Sequence, residues 1–593
     1  MAIFETKEFI ERDKSLLRAF GVDPEGAEAV RMSRKSTRRE IFKKSEANRQ
    51  RITEVISEIA KNGGVGVAFD HKSITRHHVN GETEIILGIS LQITDESGHV
   101  HSYLLAFEHT QSEEHGEAVQ TVENVLTDFG LLDAVRSGQI TIATDYALHG
   151  AAKRISFNAS VDPNHSIDRL LKRTVKDLLS KFSQNAVTEF EKADKLTKYA
   201  RKCLSKKELR RLPASTAVSL NEYLTAKGVG SIQSYTAVRF RSLYQTIASI
   251  NAAKSVILEL VGNEDDPNHF HVANLPDFAF VEALHHMLEN AFIPLINFCD
   301  SQHTSQCGEY LPEAEFLLQY ACSDVLSDNE YATSLKDTLV AAVLEQLIGH
   351  YIIEDEAVDS RVRTRLTPNE LVVTYGTISR KSCNLEKVQW ILKEGGRHTE
   401  AKLIKRFANE KDLIGQARIQ IKKYDSLING DSSQIADFDS DDSCLSDDES
   451  QNLFTVPDGS MNSSRSFNAN RSEIDKELDK WENLEIAYWK SFKIFANTEG
   501  WQYKKSAKGF ILQNRHNRKY WNSMVHTFPR LSKIMLFILQ APCSSSPLER
   551  YFSSISLNTS PIAANRTTEY LEQVEQTNSL TDSFFDVLNT LSN

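Results

Sequence analysis

Apolar positions recur at helical spacing first in residues 1–60, where Ile52, Val55, Ile56 and Ile59 close a polar, helix-like stretch before Asn62, Gly63 and Gly64 break the pattern. The period then changes. Residues 65–70 form a short apolar run ending in an acid, and Ile85, Leu87, Ile89, Leu91 and Ile93 alternate as a half-buried strand does. A turn at residues 95–98 leads to a third strand over residues 100–108, and Ala118, Val122, Val125, Leu126 and Phe129 then make one helical stripe. Residues 140–144 read as a fourth, buried strand, again followed by an acid, Asp145.

Three strands joined by turns, then a crossover helix and a short strand, is the order that lays the fourth strand parallel to the first. Neighbouring strands are about 4.8 Å apart, so Asp70 and Asp145 at their carboxyl ends are expected to approach each other. Two carboxylates so close repel unless a proton or a cation sits between them.

From residue 165 to about 424 the pattern is almost continuously helical, with stripes such as Leu339, Val343, Leu344 and Leu347. Residues 425–472 are rich in Ser, Asp and Asn and offer no apolar face, which predicts a disordered linker. Structure is expected to resume with an aromatic-rich stretch from Trp481 and a helix in which Leu531, Ile534, Met535 and Ile538 share a face. The expected organisation is a basic helical segment over 1–62, the first part of an α/β core over 63–165, a helical domain over 166–424, the linker, and a final part over 473–593 that completes the core.

Composition narrows the class. The 593 residues are 40% hydrophobic, enough for several cores, and no run approaches the ~20 apolar residues of a membrane span. The opening residues are too charged for a signal peptide, so the expectation is a soluble intracellular protein without a membrane partner. Its seven cysteines include no C-x-x-C pair, which supports neither a disulfide framework nor a zinc finger. Of the net charge of −12, eight units come from acids between Asp431 and Glu449, leaving −4 for the rest. Basic stretches stand out against that remainder. Residues 31–51 hold nine Lys/Arg against two acids, and residues 195–211 hold eight against one, either as solvated helix faces or as phosphate-binding surfaces.

Toward the end of the chain lie Tyr520-Trp521, then Phe528-Pro529-Arg530-Leu531, then Pro542-Cys543-Ser544-Ser545-Ser546-Pro547-Leu548-Glu549-Arg550-Tyr551-Phe552-Ser553. These segments, in this order, resemble the carboxyl-terminal dimerisation region of hAT (hobo/Activator-type) transposases, and Asn565-Arg566 with Leu571 and Val574 resembles the family's NR-L element. Upstream, residues 33–39 with Arg34, Lys35, Arg38 and Arg39 resemble the basic helix before the first family strand. Phe69-Asp70 and Thr144-Asp145 resemble the ends carrying the first two catalytic aspartates, Asp162-x-x-His165 the Cys/Asp-x-x-His element, and Val238-Arg239-Phe240-Arg241-Ser242 the TRW-x-S element.

The resemblance implies an α/β ribonuclease-H-like catalytic domain with a mixed sheet, interrupted between its second Asp and its Glu by a large, mostly helical insertion domain. The 404 residues from Asp145 to Glu549 leave room for one. It further implies that Asp70, Asp145 and Glu549 are catalytic and hold two Mg²⁺ (or Mn²⁺) ions, one activating the attacking water or 3′-hydroxyl and one stabilising the leaving oxygen. Asp162 and His165 would stand behind that site, with His165 positioning a phosphate and Asp162 fixing its tautomer. Arg34, Lys35, Arg38, Arg39, Arg239 and Phe240 would contact DNA, Phe240 at the place of a Trp that stacks on a flipped base. The expected protein is nuclear, binds DNA, and self-associates as a homodimer or higher oligomer.

Each residue keeps a plainer reading. Asp70 and Asp145 also suit solvated acids after strands. Ser546-Pro547-Leu548-Glu549 is a good capping box, so Glu549 also suits a structural role. Asp162-Pro163-Asn164 suits a loop turn, and Phe240 a core contact. The chain departs from the family in having no amino-terminal BED zinc finger, its first cysteine being Cys203, and in carrying Lys72 and Tyr146 near the two aspartates. Two functions therefore stand side by side: a transposase-like enzyme that cuts and joins DNA by metal-dependent phosphoryl transfer, and a domesticated, non-enzymatic DNA-binding or protein-interaction factor on the same scaffold.

Overall fold

The computed structural model describes residues 34–60, 63–75, 83–95, 99–112, 114–145, 147–212, 216–234, 240–262, 270–272, 275–299, 310–351, 368–376, 385–407, 410–429, 472–484, 518–542, 544–545, 547–548 and 551–552. It begins with helix α1 (Arg34–Ala60), whose last two turns bury Ile52, Ile56, Ile59 and Ala60 at the predicted spacing. A sheet follows, built from β1 (Val65–Thr75), β2 (Thr83–Thr94), β3 (Val100–Thr110), β4 (Thr141–Thr144) and β5 (Ala159–Val161). Helix α2 (His115–Asp128) crosses from β3 to β4, and α3 (His149–Ile155) from β4 to β5.

The five strands lie in the order β3-β2-β1-β4-β5, with β1, β4 and β5 parallel and β1-β2-β3 an antiparallel meander. This mixed sheet, followed by a largely helical region, is consistent with a ribonuclease-H-like α/β fold.

One face of the sheet carries Val65, Val67, Phe69, Leu87, Ile89 and Leu91 and packs on α1, α2 and α3, including the stripe Ala118, Val122, Val125 and Leu126. The other face carries Ala68, Ile86, Leu104, Phe107 and Ala143 and is covered by Leu548 and Phe552 from far along the chain. The alternation in β2 predicts a half-buried strand. It is instead buried on both faces, because residues beyond 540 cover the side of Ile86 and of the polar or small Gly88, Ser90 and Gln92.

The helical region starts with α4 (Pro163–Lys172) and includes α5 (Gln184–Arg201), α6 (Phe240–Val261), α7 (Glu330–Gln346), α8 (Pro368–Gly376), α9 (Glu410–Asn429), α10 (Glu473–Glu482) and α11 (Pro529–Leu539). One continuous apolar core runs from Ile167 to Leu539 and takes in the whole stripe Leu531, Ile534, Met535 and Ile538. Trp481, Tyr520, Trp521 and Phe528 form an aromatic cluster there, and Trp521 Nε1 donates to Gly376 O at 2.9 Å. Helix α9 continues to Asn429, five residues into the stretch read as linker. Asp425 is buried there and pairs with Arg530 at 3.4 Å, so a local excess of polar residues hid a helix end with a tertiary partner. The remainder of that stretch, 430–471, lies outside the described residues.

Sheet and helical region are joined by a fully buried polar chain. Asn158, just before β5, donates to Gly138 O at 2.8 Å and accepts from Asn369 of α8, which in turn accepts from the Tyr424 hydroxyl of α9. Among the described residues, no helix is long and apolar enough to cross a membrane.

Candidate active site

The site follows from strand register. In the parallel ladders Ala68 pairs with Ala143, and Ala143 with Ser160. Continued two residues beyond these pairs, the register reaches Asp70 within β1 and Asp145 and Asp162 just past the ends of β4 and β5, which aligns the three carboxylates as a row by sequence position. Strands in such a row are about 4.8 Å apart, and residues in one row project to the same side. That side is the one bearing Gly66, Ala68 and Ala143, where Pro542, Leu548 and Phe552 sit.

The apolar run that ends at Asp70 predicts a strand end there. Asp70 lies mid-strand instead, because β1 continues to Thr75 in a long hairpin with β2, and its antiparallel partner is Gly88. A Cβ at Gly88 would stand 2.8 Å from Phe552 Cζ and 3.2 Å from Leu548 Cδ2, and one at Gly66 would stand 2.8 Å from Pro542 Cγ. Two glycines in the sheet thus let the carboxyl-terminal segment lie directly on the backbone beside Asp70.

Asp145 follows β4 and is half-buried, and its Oδ1 accepts a hydrogen bond from Leu148 N at 2.8 Å. That bond turns the chain into α3. Asp162 is fully buried. Its Oδ2 accepts from Ser545 N (2.6 Å), Ser545 Oγ (2.7 Å) and Ser544 Oγ (3.3 Å), while its carbonyl accepts from His165 N at 3.0 Å. His165 lies half-buried on the first turn of α4, which opens with Pro163.

Glu549 and Ser546 lie outside the described residues, as does Arg239. Described residues bracket Glu549 in sequence: Leu548 and Phe552 are both buried against the sheet, and the Tyr551 hydroxyl meets Ser102 Oγ at 2.9 Å. Arg34, Lys35, Arg38 and Arg39 open α1 and Phe240 opens α6, but their side chains lie outside the described residues. From Arg38 to the buried turn at Ile56 is about 27 Å along the α1 axis, so the basic end of α1 stands well away from the part docked on the sheet.

The second basic stretch is fully placed. Lys195, Lys198 and Arg201 on α5, with Lys202, Lys206, Lys207 and Arg210 beyond it, are exposed. The nearby acids are occupied. Asp194 pairs with Lys198 at 2.6 Å, and Glu208 accepts from Ser205 N and the Tyr199 hydroxyl, each at 2.7 Å, in a capping box.

Sequence reasoning singles out Asp70, Asp145, Asp162 and His165; Asp145, Asp162 and His165 follow the carboxyl ends of β4 and β5, and Asp70 lies within β1 two residues past its last pair with β4. It does not reach Ser544, Ser545, Gly66 or Gly88. Glycines inside an otherwise β-patterned run are an available sign of close backbone approach; the serines carry none. Hard carboxylate oxygens in one row suit a divalent cation. Among the described residues, no group of three or more His, Cys, Asp or Glu side chains could hold a metal ion. No protein-family model matches the chain, and no curated protein matches it.

Proposed function

We propose that this chain is a hAT transposase-like protein whose ribonuclease-H-like catalytic domain, interrupted by the helical region, binds DNA and cuts and joins it by phosphoryl transfer. The observation that carries the reading is the register row: Asp70 in β1 and Asp145 just past the end of the adjacent parallel strand β4, on the face where Pro542, Leu548 and Phe552 are seated. Asp70, Asp145 and Glu549 would hold Mg²⁺ or Mn²⁺, which supplies charge neutralisation at the reacting phosphate when bound. The protein's own task is positioning. The exposed cations around α5 draw in the phosphate backbone, His165 offers a donor beside the acidic row, and the sheet holds the two aspartates at fixed spacing. Self-association through the carboxyl-terminal region and a nuclear location belong to the same reading.

The test is divalent-dependent nicking of supercoiled and linear DNA by the wild type and by Asp70→Asn and Asp145→Asn. Both variants keep the side-chain volume, and the amide oxygen introduced by Asp145→Asn can still accept from Leu148 N, so folding should persist while nicking falls by orders of magnitude. A second reading, a non-enzymatic DNA-binding or protein-interaction factor, draws on the Asp145–Leu148 bond, which gives that aspartate a structural role without chemistry. A wild type that binds DNA but never nicks it with Mg²⁺ or Mn²⁺ selects this second reading.

A further inference from the structure

Of the three carboxylates in the register row, Asp162 differs in what it touches. It is 1% exposed, and Ser545 is fully buried against it. A single oxygen, Oδ2, receives three donors, all from residues 544 and 545, nearly four hundred positions away in sequence. That fills the acceptor capacity of the oxygen. The same loop is fastened twice more to the sheet, by Gln92 Nε2 donating to Ser544 O at 2.6 Å and Thr141 Oγ1 donating to Pro542 O at 3.3 Å. Immediately beyond it, Leu548 N donates to Ser545 O at 2.8 Å, and Leu548 packs against Gly88, the strand partner of Asp70.

We infer that Asp162 is a positioning residue: its carboxylate pins residues 544–545 to the end of β5 and thereby sets where Leu548 and Phe552 lie beside Asp70. A buried carboxylate is retained where donors meet it, and these donors come from the one segment that must be held in register with the sheet. The consequence for Glu549 rests on the function proposed above. The pinning itself does not.

Two variants of the full chain separate anchoring from charge. Asp162→Asn removes the negative charge and weakens the loop bonds; Ser545→Ala keeps the charge and removes only one donor. Local hydrogen exchange of peptides covering residues 542–552 reads the anchoring, and Mn²⁺ binding reads the site. Exchange should quicken by about tenfold in Ser545→Ala and more in Asp162→Asn, while peptides from β1 and β4 keep wild-type rates. Mn²⁺ affinity should weaken several-fold in both. If Ser545→Ala leaves exchange and Mn²⁺ affinity unchanged while Asp162→Asn weakens Mn²⁺ binding, Asp162 acts by charge or as a ligand and the inference is overturned. If the wild type binds no Mn²⁺, the metal site proposed above falls, and exchange alone decides the anchor: quickened rates at 542–552 in either folded variant uphold it, and unchanged rates overturn it. Should Asp162→Asn fail to fold, Ser545→Ala carries the same decision.

Discussion

The contact between Gly88 and Phe552 allows the seating of the carboxyl-terminal segment to be tested by size complementation. In Gly88→Ala the new methyl would stand 2.8 Å from Phe552 Cζ and 3.2 Å from both Phe552 Cε1 and Leu548 Cδ2. Carbon atoms in contact prefer about 3.5–4.0 Å, so the ring must retreat by about 0.7–1.2 Å. Phe552 is buried and already packs on Phe107, ring centroids 5.6 Å apart, which leaves it little room. Overpacking of this kind costs about 1–3 kcal/mol, and removing a glycine from a strand returns about 0.5–1 kcal/mol. The net cost of Gly88→Ala is therefore about 0–2.5 kcal/mol. Phe552→Leu alone opens space, at about 1–2 kcal/mol for the missing ring. In the double variant the alanine methyl fills part of that space, so the two costs should not add: the coupling should be about 1 kcal/mol in favour of the pair. Urea unfolding of all four proteins, followed by exchange of peptides from β1 and β2, measures this. Additive losses would refute the claim that Leu548 and Phe552 press on the strand beside Asp70.

Three further outcomes are expected. Glu549→Gln should leave folding and DNA binding intact, since Gln at the third helical position also serves a capping box, and should abolish divalent-dependent nicking; equal nicking by both proteins would remove Glu549 from the chemistry. Replacing Lys195, Arg201, Lys202 and Lys206 by Gln should flatten the log–log salt dependence of DNA binding by about 0.9 for each phosphate no longer neutralised, as read by fluorescence anisotropy; an unchanged slope makes this a solvated surface. Burial, with a smaller contribution from Lys153, pushes the His149 imidazole down to about 4, so the unfolded chain takes up its proton first as pH falls. Stability should be full above about pH 6.5 and decline toward pH 4 by roughly 3 kcal/mol, and His149→Gln should show a flatter profile over that window in urea titrations.

What was legible in the sequence was what local periodicity encodes. The alternation of Leu87, Ile89, Leu91 and Ile93, the stripe from Ala118 to Phe129, and the stripe from Leu531 to Ile538 all lie buried as their spacing requires. Strand β5 gives no signal because three residues, Ala159–Val161, carry no period. Asp70 looks terminal because Lys72 and Ser73 follow it, yet backbone pairing with Ile86 and Ile85 carries the strand on to Thr75. The pairing of Asp162 with Ser545 spans 383 positions and joins two residue types common in turns, so no local pattern announces it. The neighbourhood of Asp70 and Asp145 was foreseeable from strand order alone, whereas their shared row with Asp162 needed the register.

The covering of the sheet by Leu548 and Phe552 also sets a timetable for biosynthesis. Strands β1 to β5 are complete by Val161, whereas Leu548 and Phe552, which among the described residues cover the face formed by Ala68, Ile86, Leu104, Phe107 and Ala143, come far later in the chain. At about 5–20 residues per second, the ribosome takes roughly 20–80 s to make the intervening chain. For that time the apolar face lacks the contacts that Leu548 and Phe552 supply, so the sheet cannot complete its packing until residue 552 has been made.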